Sequence, residues 1–364
     1  MMNIGWQKSG KTIRFGKSYW ISLLLTIVLS TSCHSQNTND KSGVAQDYGL
    51  QEGFYAVGVV YHRFGDARYP STNTSKESFE SHLQYLKENQ FVTYTASGIL
   101  HGGEDSSKKV LITVDDGLKS FLTNGYPLLK KYGCKATVFV NTESVGWSDY
   151  LSWDEIQLLH GEGIEIGAHS HRHSYFMDYP DSLRKVEFEK DLDVMEMEFK
   201  EHLGFVPSVY AYPYGEFDSI MADVLFKRGY KLGFAQNSGV WSGNTNRYTI
   251  PRFPVAGRFE KLERFVQKVN MKPLVIKSKS EYPVKLDGGA DYTTILRLDK
   301  SNKYQTINCF FNNQYNKEIY KLNNDTLRIK LRMPQDKRRV LLTFTAQDDN
   351  NQWLWWSKLF VNPE

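Results

Sequence analysis

Cysteine is scarce in this chain. Its 364 residues include three, Cys33, Cys134 and Cys309, too few for the disulfide framework of a small secreted domain. Cys134 and Cys309 fall in different predicted domains, so both are expected as free thiols packed like small apolar residues. The apolar run at residues 19–29 is too short to cross a bilayer of ~30 Å as a helix. Excess charge is short as well. The formal net charge is +4, but Lys8, Lys11, Arg14 and Lys17 all precede Cys33, in a stretch with no acid. The rest of the chain is near neutral and lacks the basic field that gathers nucleic acid, so no nucleic-acid partner is expected. Histidine is absent after His202. What is plentiful is aromatic: 14% of residues, with 22 Tyr and 8 Trp. Such rings suit the faces of pyranose sugars, although cores consume them too.

The N-terminus reads as an export signal. Residues 1–18 are basic, residues 19–29 are almost wholly apolar, and Ser30-Thr31-Ser32-Cys33 are small. A cysteine directly after small residues resembles a bacterial lipoprotein signal, in which that cysteine is lipidated and becomes the new N-terminus. The expectation for residues 1–33 is therefore a lipoprotein-type signal peptide and a membrane anchor at Cys33, with plain secretion as the alternative. Residues 34–52 are polar and read as a flexible tether.

From residue 53 to 275, strand-like runs alternate with helical ones, which argues a parallel α/β sheet, barrel-like or doubly wound. Residues 55–61, 110–114, 136–140, 164–168 and 208–212 read as strands. Long helices are expected after Thr74, with a Thr74/Glu77 capping box, from Gly117 toward Lys131, after Ser152, and over 181–203. Polar chemistry recurs at the ends of the strands: His62, then Asp115-Asp116, His169 and Tyr214. In parallel α/β folds the active site lies on that face, so residues scattered along the chain converge there.

Two of these places carry most of the signal. Val114-Asp115-Asp116-Gly117 sets two like charges side by side, an arrangement that a bound cation relieves by taking one carboxylate and leaving the other as a base. Alone, it also reads as a solvated turn. His169-Ser170-His171-Arg172-His173 holds three histidines, and a helical turn would bring His169 and His173 to one face as a metal pair, with His171 pointing elsewhere.

Val114-Asp115-Asp116-Gly117, His169-Ser170-x-x-His173 and Tyr212-Pro213-Tyr214-Gly215, in that order, resemble the first three motifs of the polysaccharide deacetylases, carbohydrate esterase family 4. The resemblance implies a distorted (β/α) barrel, Asp115 as the catalytic base, and Asp116, His169 and His173 as ligands of a divalent metal. Zn²⁺ suits these mixed ligands best, with Co²⁺ and Ni²⁺ also fitting. It also implies the backbone N–H of Tyr214 as an oxyanion donor. Two departures stand out. Ala211 occupies the place of the family's base-orienting Arg, and the late Leu-x-His of the general acid is missing. Val59-Val60-Tyr61-His62-Arg63 and Ala211-Tyr212-Pro213-Tyr214-Gly215 resemble instead the exported poly-β-1,6-N-acetylglucosamine deacetylases, whose motifs are circularly permuted. That subgroup implies His62 as the acid. Arg252, in Ile250-Pro251-Arg252-Phe253, is the candidate for the missing base-orienting charge.

After residue 276 helical periodicity disappears. Leu327, Ile329, Leu331 and Met333 alternate with Arg328, Lys330 and Arg332, as in a half-exposed strand. Residues 276–364 therefore read as a small β-sandwich-like domain, in which Trp353, Trp355 and Trp356 serve either a sugar platform or the core. The function expected is hydrolysis of N-acetyl groups on an extracellular or periplasmic amino-sugar polymer. The alternatives are another glycan, such as peptidoglycan or chitin oligomers, and a non-catalytic glycan-binding lipoprotein.

Overall fold

A computed structural model describes residues 53–101, 108–277, 282–299, 304–312, 314–315, 318–323 and 325–363. The predicted signal, Cys33 and the whole of the predicted tether, residues 34–52, lie outside the described residues. Among the described residues, no helix is long and apolar enough to cross a membrane.

The central sheet is parallel over most of its width. Tyr55–Tyr61, Lys108–Val114, Thr137–Val140, Glu165–Ala168, Val209–Ala211 and Leu232–Phe234 lie side by side in that order. Val59, Val114, Val138 and Ile166 are buried against the helices, and Leu111, Phe139, Val209 and Phe234 are buried on the opposite face, as strands covered on both faces require. The sheet curls because the extended chain at 250–254 reaches both of its ends. Ile250 bridges to Phe234, and Phe253–Pro254 pairs with Tyr55–Tyr61. This is a curled half-barrel: the alternating pattern left a barrel-like or a doubly wound sheet open, and the resemblance implied the distorted barrel.

Helices flank the sheet. Ser152 begins Trp153–Gly161 with a full capping box, its hydroxyl taking the Glu155 amide while the Glu155 carboxylate takes the Ser152 amide. The cap of Lys76–Glu88 falls one residue later than its sequence suggests, on Ser75, whose hydroxyl takes the Ser78 amide, while the Thr74 hydroxyl donates to the Val255 carbonyl instead. The segment after Gly117 is not one helix. It makes a wide turn at Phe121–Gly125 before Tyr126–Tyr132, where Gly125 lies close against Phe64 and Phe121. The long helix Asp181–Leu203 buries Phe188, Leu192, Met195 and Phe199 along one stripe.

Beyond the last helix, Leu262–Val269, only strands follow among the described residues. They form two sheets, one around Arg339–Asp348 and Trp353–Val361, the other around Asp291–Leu298 and Thr326–Arg332. Both contribute to one core, with Leu296, Ile329, Leu342, Phe344 and Phe360 at its centre. Neither Cys134 nor Cys309 is in a disulfide. The tryptophans divide between the two bodies. Trp353 and Trp355 pack on the half-barrel, where the Trp355 indole donates to the Ser238 carbonyl at 2.9 Å, while Trp356 packs into the β core. The half-barrel and these sheets form one compact unit.

Candidate active site

The carboxyl ends of the parallel strands deliver the expected residues to one place. His62 follows Tyr55–Tyr61, Asp115 and Asp116 follow Lys108–Val114, His169 follows Glu165–Ala168, and Tyr214 lies just past Val209–Ala211.

Asp115 is fully buried, and its carboxylate is gripped by Arg252, also fully buried. The guanidinium donates at 2.7 Å to Oδ1 and at 2.8 Å to Oδ2. Three further contacts fix the arginine. Its Nε donates to the Ala235 carbonyl at 2.8 Å, one terminal nitrogen donates to Thr113 Oγ1 at 3.0 Å, and its carbon lies 5.5 Å from the Phe139 ring centre. Gly58 makes room for it, since a Cβ there would lie 3.1 Å from Arg252 Cγ. Burial pushes the Asp115 carboxyl up, but Arg252, His169 and His62 together outweigh burial and hold it below the usual carboxylate range. Arg252 reaches the carboxylate from the chain that links the sheet's two ends.

Asp116, His169 and His173 form a second cluster, with one ligand atom from each lying within 4.8 Å of the others. Both histidine Nε2 atoms stand 3.5 Å from Asp116 Oδ1. His169 Nδ1 donates to the Ala211 carbonyl at 2.7 Å, which turns Nε2 toward the cluster; burial lowers the His169 pKa, but Asp115 and Asp116 outweigh it and raise it above the ordinary value. This two-imidazole, one-carboxylate set fits a divalent cation with a position left open for a reacting oxygen. Burial lowers the His173 pKa to about 4, with His169 adding to the effect, so the ring is neutral at ordinary pH.

The geometry departs from the expected helical turn. Residues 169–173 form an irregular loop, with Ser170 at φ 72° and His173 at φ 55°. Asp191 of the long helix holds that loop, a residue the motifs did not reveal. Its buried carboxylate accepts from the Ser170 hydroxyl at 2.7 Å, the His171 amide at 2.8 Å and the Arg172 amide at 3.0 Å. Its signal lay in the sequence as a carboxylate set among Phe188, Leu192 and Met195 on an apolar stripe. His171 turns away from the cluster, its Nδ1 lying 2.8 Å from Thr142 Oγ1.

His62 is half-buried, and its Nδ1 is buried without a hydrogen-bond partner. Gln236, past the end of Leu232–Phe234, was also missed. Its amide nitrogen lies 3.3 Å from both His62 Nε2 and Asp115 Oδ2, and so connects the two. Tyr214 sits at φ 57°, and its ring meets that of His173 edge to face at 4.5 Å. The next residue, Gly215, is obligatory. Its φ is +69°, and a Cβ would lie 2.4 Å from Gln236 Cβ and 2.5 Å from the Gln236 backbone nitrogen.

A carboxylate held ionised, a vacant polar atom on a nearby imidazole, and a three-donor cluster beside them can together handle both protons of a hydrolysis. Comparison with known proteins is consistent with this chemistry. Residues 102–233 match the family model described as "Polysaccharide deacetylase". The chain is 27% identical over 265 residues, 65% of this chain and 90% of the relative, to a poly-beta-1,6-N-acetyl-D-glucosamine N-deacetylase of Staphylococcus aureus (strain MSSA476). The structure of IcaB from Ammonifex degensii superposes with a TM-score of 0.51 at 25% identity, covering 60% of this chain and 97% of that one. A Streptococcus pyogenes deacetylase, PplD, solved in complex with acetate, shares the fold with a TM-score of 0.53 at 19% identity, covering 59% of this chain and 98% of that one.

Proposed function

We propose that this chain, which carries a polysaccharide deacetylase domain, hydrolyses N-acetyl groups on a poly-β-1,6-N-acetylglucosamine-like polymer outside the cytoplasm, anchored by lipid at Cys33. The observation that carries the reading is the pairing of a buried, arginine-clamped Asp115 with the adjacent donor set of Asp116, His169 and His173. Asp116, His169 and His173 would hold a divalent cation, Zn²⁺ by the donor chemistry, which when bound would supply Lewis-acid polarisation of the amide carbonyl and a more acidic water.

The remaining steps belong to this chain's own residues. Asp115 takes the proton of the attacking water. Arg252 keeps that carboxylate ionised before the proton arrives and fixes its orientation. The backbone N–H of Tyr214 stabilises the negative charge that develops on the former carbonyl oxygen. His62 gives a proton to the departing amine, and Gln236, touching both His62 and Asp115, keeps acid and base in register. The products are acetate and a glucosamine unit.

The test is acetate release from β-1,6-linked N-acetylglucosamine oligomers by the chain from residue 34 onward, with Zn²⁺ present and chitin oligomers alongside. Metal-dependent release with a preference for the β-1,6 linkage is the expected result. Asp115→Asn should lose several orders of magnitude in rate with its metal retained, whereas His169→Ala should lose the metal. Unchanged turnover in Asp115→Asn removes that residue as the base, and full metal occupancy in His169→Ala removes it as a ligand. Release from chitin oligomers alone transfers the reading to another glycan.

A further inference from the structure

The two loops at the metal cluster are held from outside the half-barrel. The Lys337-Arg338-Arg339 turn, which leads into the strand Arg339–Asp348, presents two arginines to them. Arg338 donates to both oxygens of Glu216, at 2.9 and 2.8 Å, and lies 2.8 Å from the Asp178 carboxylate. Glu216 is two residues beyond Tyr214, and Asp178 lies five beyond His173. One guanidinium therefore ties the histidine loop to the Tyr214 loop. Its carbon also lies 4.0 Å from the Tyr175 ring centre. Tyr175 stacks on Tyr214 at 3.7 Å and 7°. A parallel ring at that distance fills one face of Tyr175, so the guanidinium occupies the other. With both faces covered, the pair is a brace and not a platform for sugar.

Arg339 completes the brace. It donates to the Tyr214 carbonyl at 2.6 Å, and its guanidinium carbon lies 5.7 Å from the Tyr214 ring centre. Tyr214 has a left-handed backbone, a conformation strained for a non-glycine residue that persists only where surrounding contacts enforce it. Arg339 binds the carbonyl of that strained residue, and the same residue's ring abuts His173.

We propose that the C-terminal β-sheets are part of the catalytic apparatus, and that Arg339 is a positioning residue that holds the Tyr214 peptide in place for the reaction. The proposal rests on the reading of Tyr214 as an oxyanion donor in a deacetylase. It assigns the appended sheets a role in turnover, independent of any affinity for sugar.

The experiment compares Arg339→Ala and Arg339→Lys with the unaltered chain. Kinetics are run on N-acetylglucosamine oligomers, alongside melting temperature, metal content and amide hydrogen exchange. Glu216 keeps Arg338 in both variants, so the charge beneath the loop stays paired. A displaced backbone donor costs ~10-fold or more in turnover, so Arg339→Ala should lose about that factor in kcat with KM within ~2-fold. Arg339→Lys, which can still donate to the carbonyl, should recover part of the loss. Exchange across residues 213–216 should quicken in Arg339→Ala while that of the Lys108–Val114 strand stays unchanged. Unaltered kcat, or a raised KM at unaltered kcat, overturns the proposal, the latter by making Arg339 a substrate contact. If the unaltered chain releases no acetate from any glycan, it is the functional reading that fails. Exchange then decides the positioning role alone, and equal rates at 213–216 overturn it.

Discussion

Replacing Arg252 with methionine tests how the carboxylate of Asp115, the proposed base, is kept ionised. Both side chains of the Arg252–Asp115 pair are completely buried, so Arg252→Met leaves a carboxylate inside the protein without its bidentate partner. Breaking a buried pair from one side costs about 3–5 kcal/mol, most of it the price of the stranded charge. Gln236 at 3.3 Å is a weak substitute. Changing Asp115 to asparagine in the same chain removes the charge, so the Asp115→Asn/Arg252→Met double variant should be more stable than Arg252→Met alone, by ~1–3 kcal/mol. Urea unfolding of metal-free protein reads these differences without the contribution of a bound ion. A second consequence follows from the sign of the pKa shift. Arg252 is the foremost of the groups that draw the Asp115 carboxyl down against burial, so its loss moves the acid limb of the kcat/KM profile to higher pH. Arg252→Lys keeps the charge but not the fork, and should fall between the two. A single variant within 1 kcal/mol of the parent chain, or a double variant costing the full sum of both singles, refutes the reasoning.

Other consequences are equally direct. Asp191→Ala strips three donors of their acceptor and should cost about 2–4 kcal/mol. It should also weaken Zn²⁺ binding ~10- to 100-fold in chelator competition, and unchanged affinity would show that the loop is held by other means. Gly215→Ala forces a Cβ onto Gln236 and should abolish turnover, whereas Gly133→Ala, also at positive φ but facing open space, should cost only ~1 kcal/mol and leave kcat intact. His82 is buried against Phe265, its Nε2 at 2.7 Å from the Glu260 carbonyl and its Nδ1 at 3.0 Å from the Tyr61 hydroxyl. Burial lowers its pKa to about 4, so the unfolded chain takes up this proton first. The associated stability, up to about 3 kcal/mol, is intact above pH ~6.5 and lost as pH falls toward 4. Urea midpoints at pH 7.5 and 5 should therefore converge in His82→Gln, and an undiminished pH slope there would rule His82 out as its source.

The placement of the site was legible because the rule behind it is topological. Any parallel α/β sheet brings its strand ends together, and His62, Asp115, Asp116, His169 and Tyr214 each follow a strand that β-branched or aromatic residues announce. Gln236 obeys the same rule and escaped notice only because an amide carries no titratable signal. What local pattern could not disclose is how these residues are held. The four-residue spacing of His169 and His173 suggested a helical turn, and the two rings do meet, but through a loop with two left-handed residues. Neither is glycine, so composition gives no warning of it. Of the seven non-glycine residues at positive φ among those described, four belong to this site: Asp116, Ser170, His173 and Tyr214. Such conformations survive only where distant groups enforce them. Asp191 does so for the histidine loop from 20 residues downstream of His171, and Arg339 for Tyr214 from 125 residues away. The residue types proposed for catalysis are therefore written locally in the motifs, while their strained geometry is imposed by contacts between elements far apart in the chain. A truncated or transplanted motif set would keep the former and lose the latter.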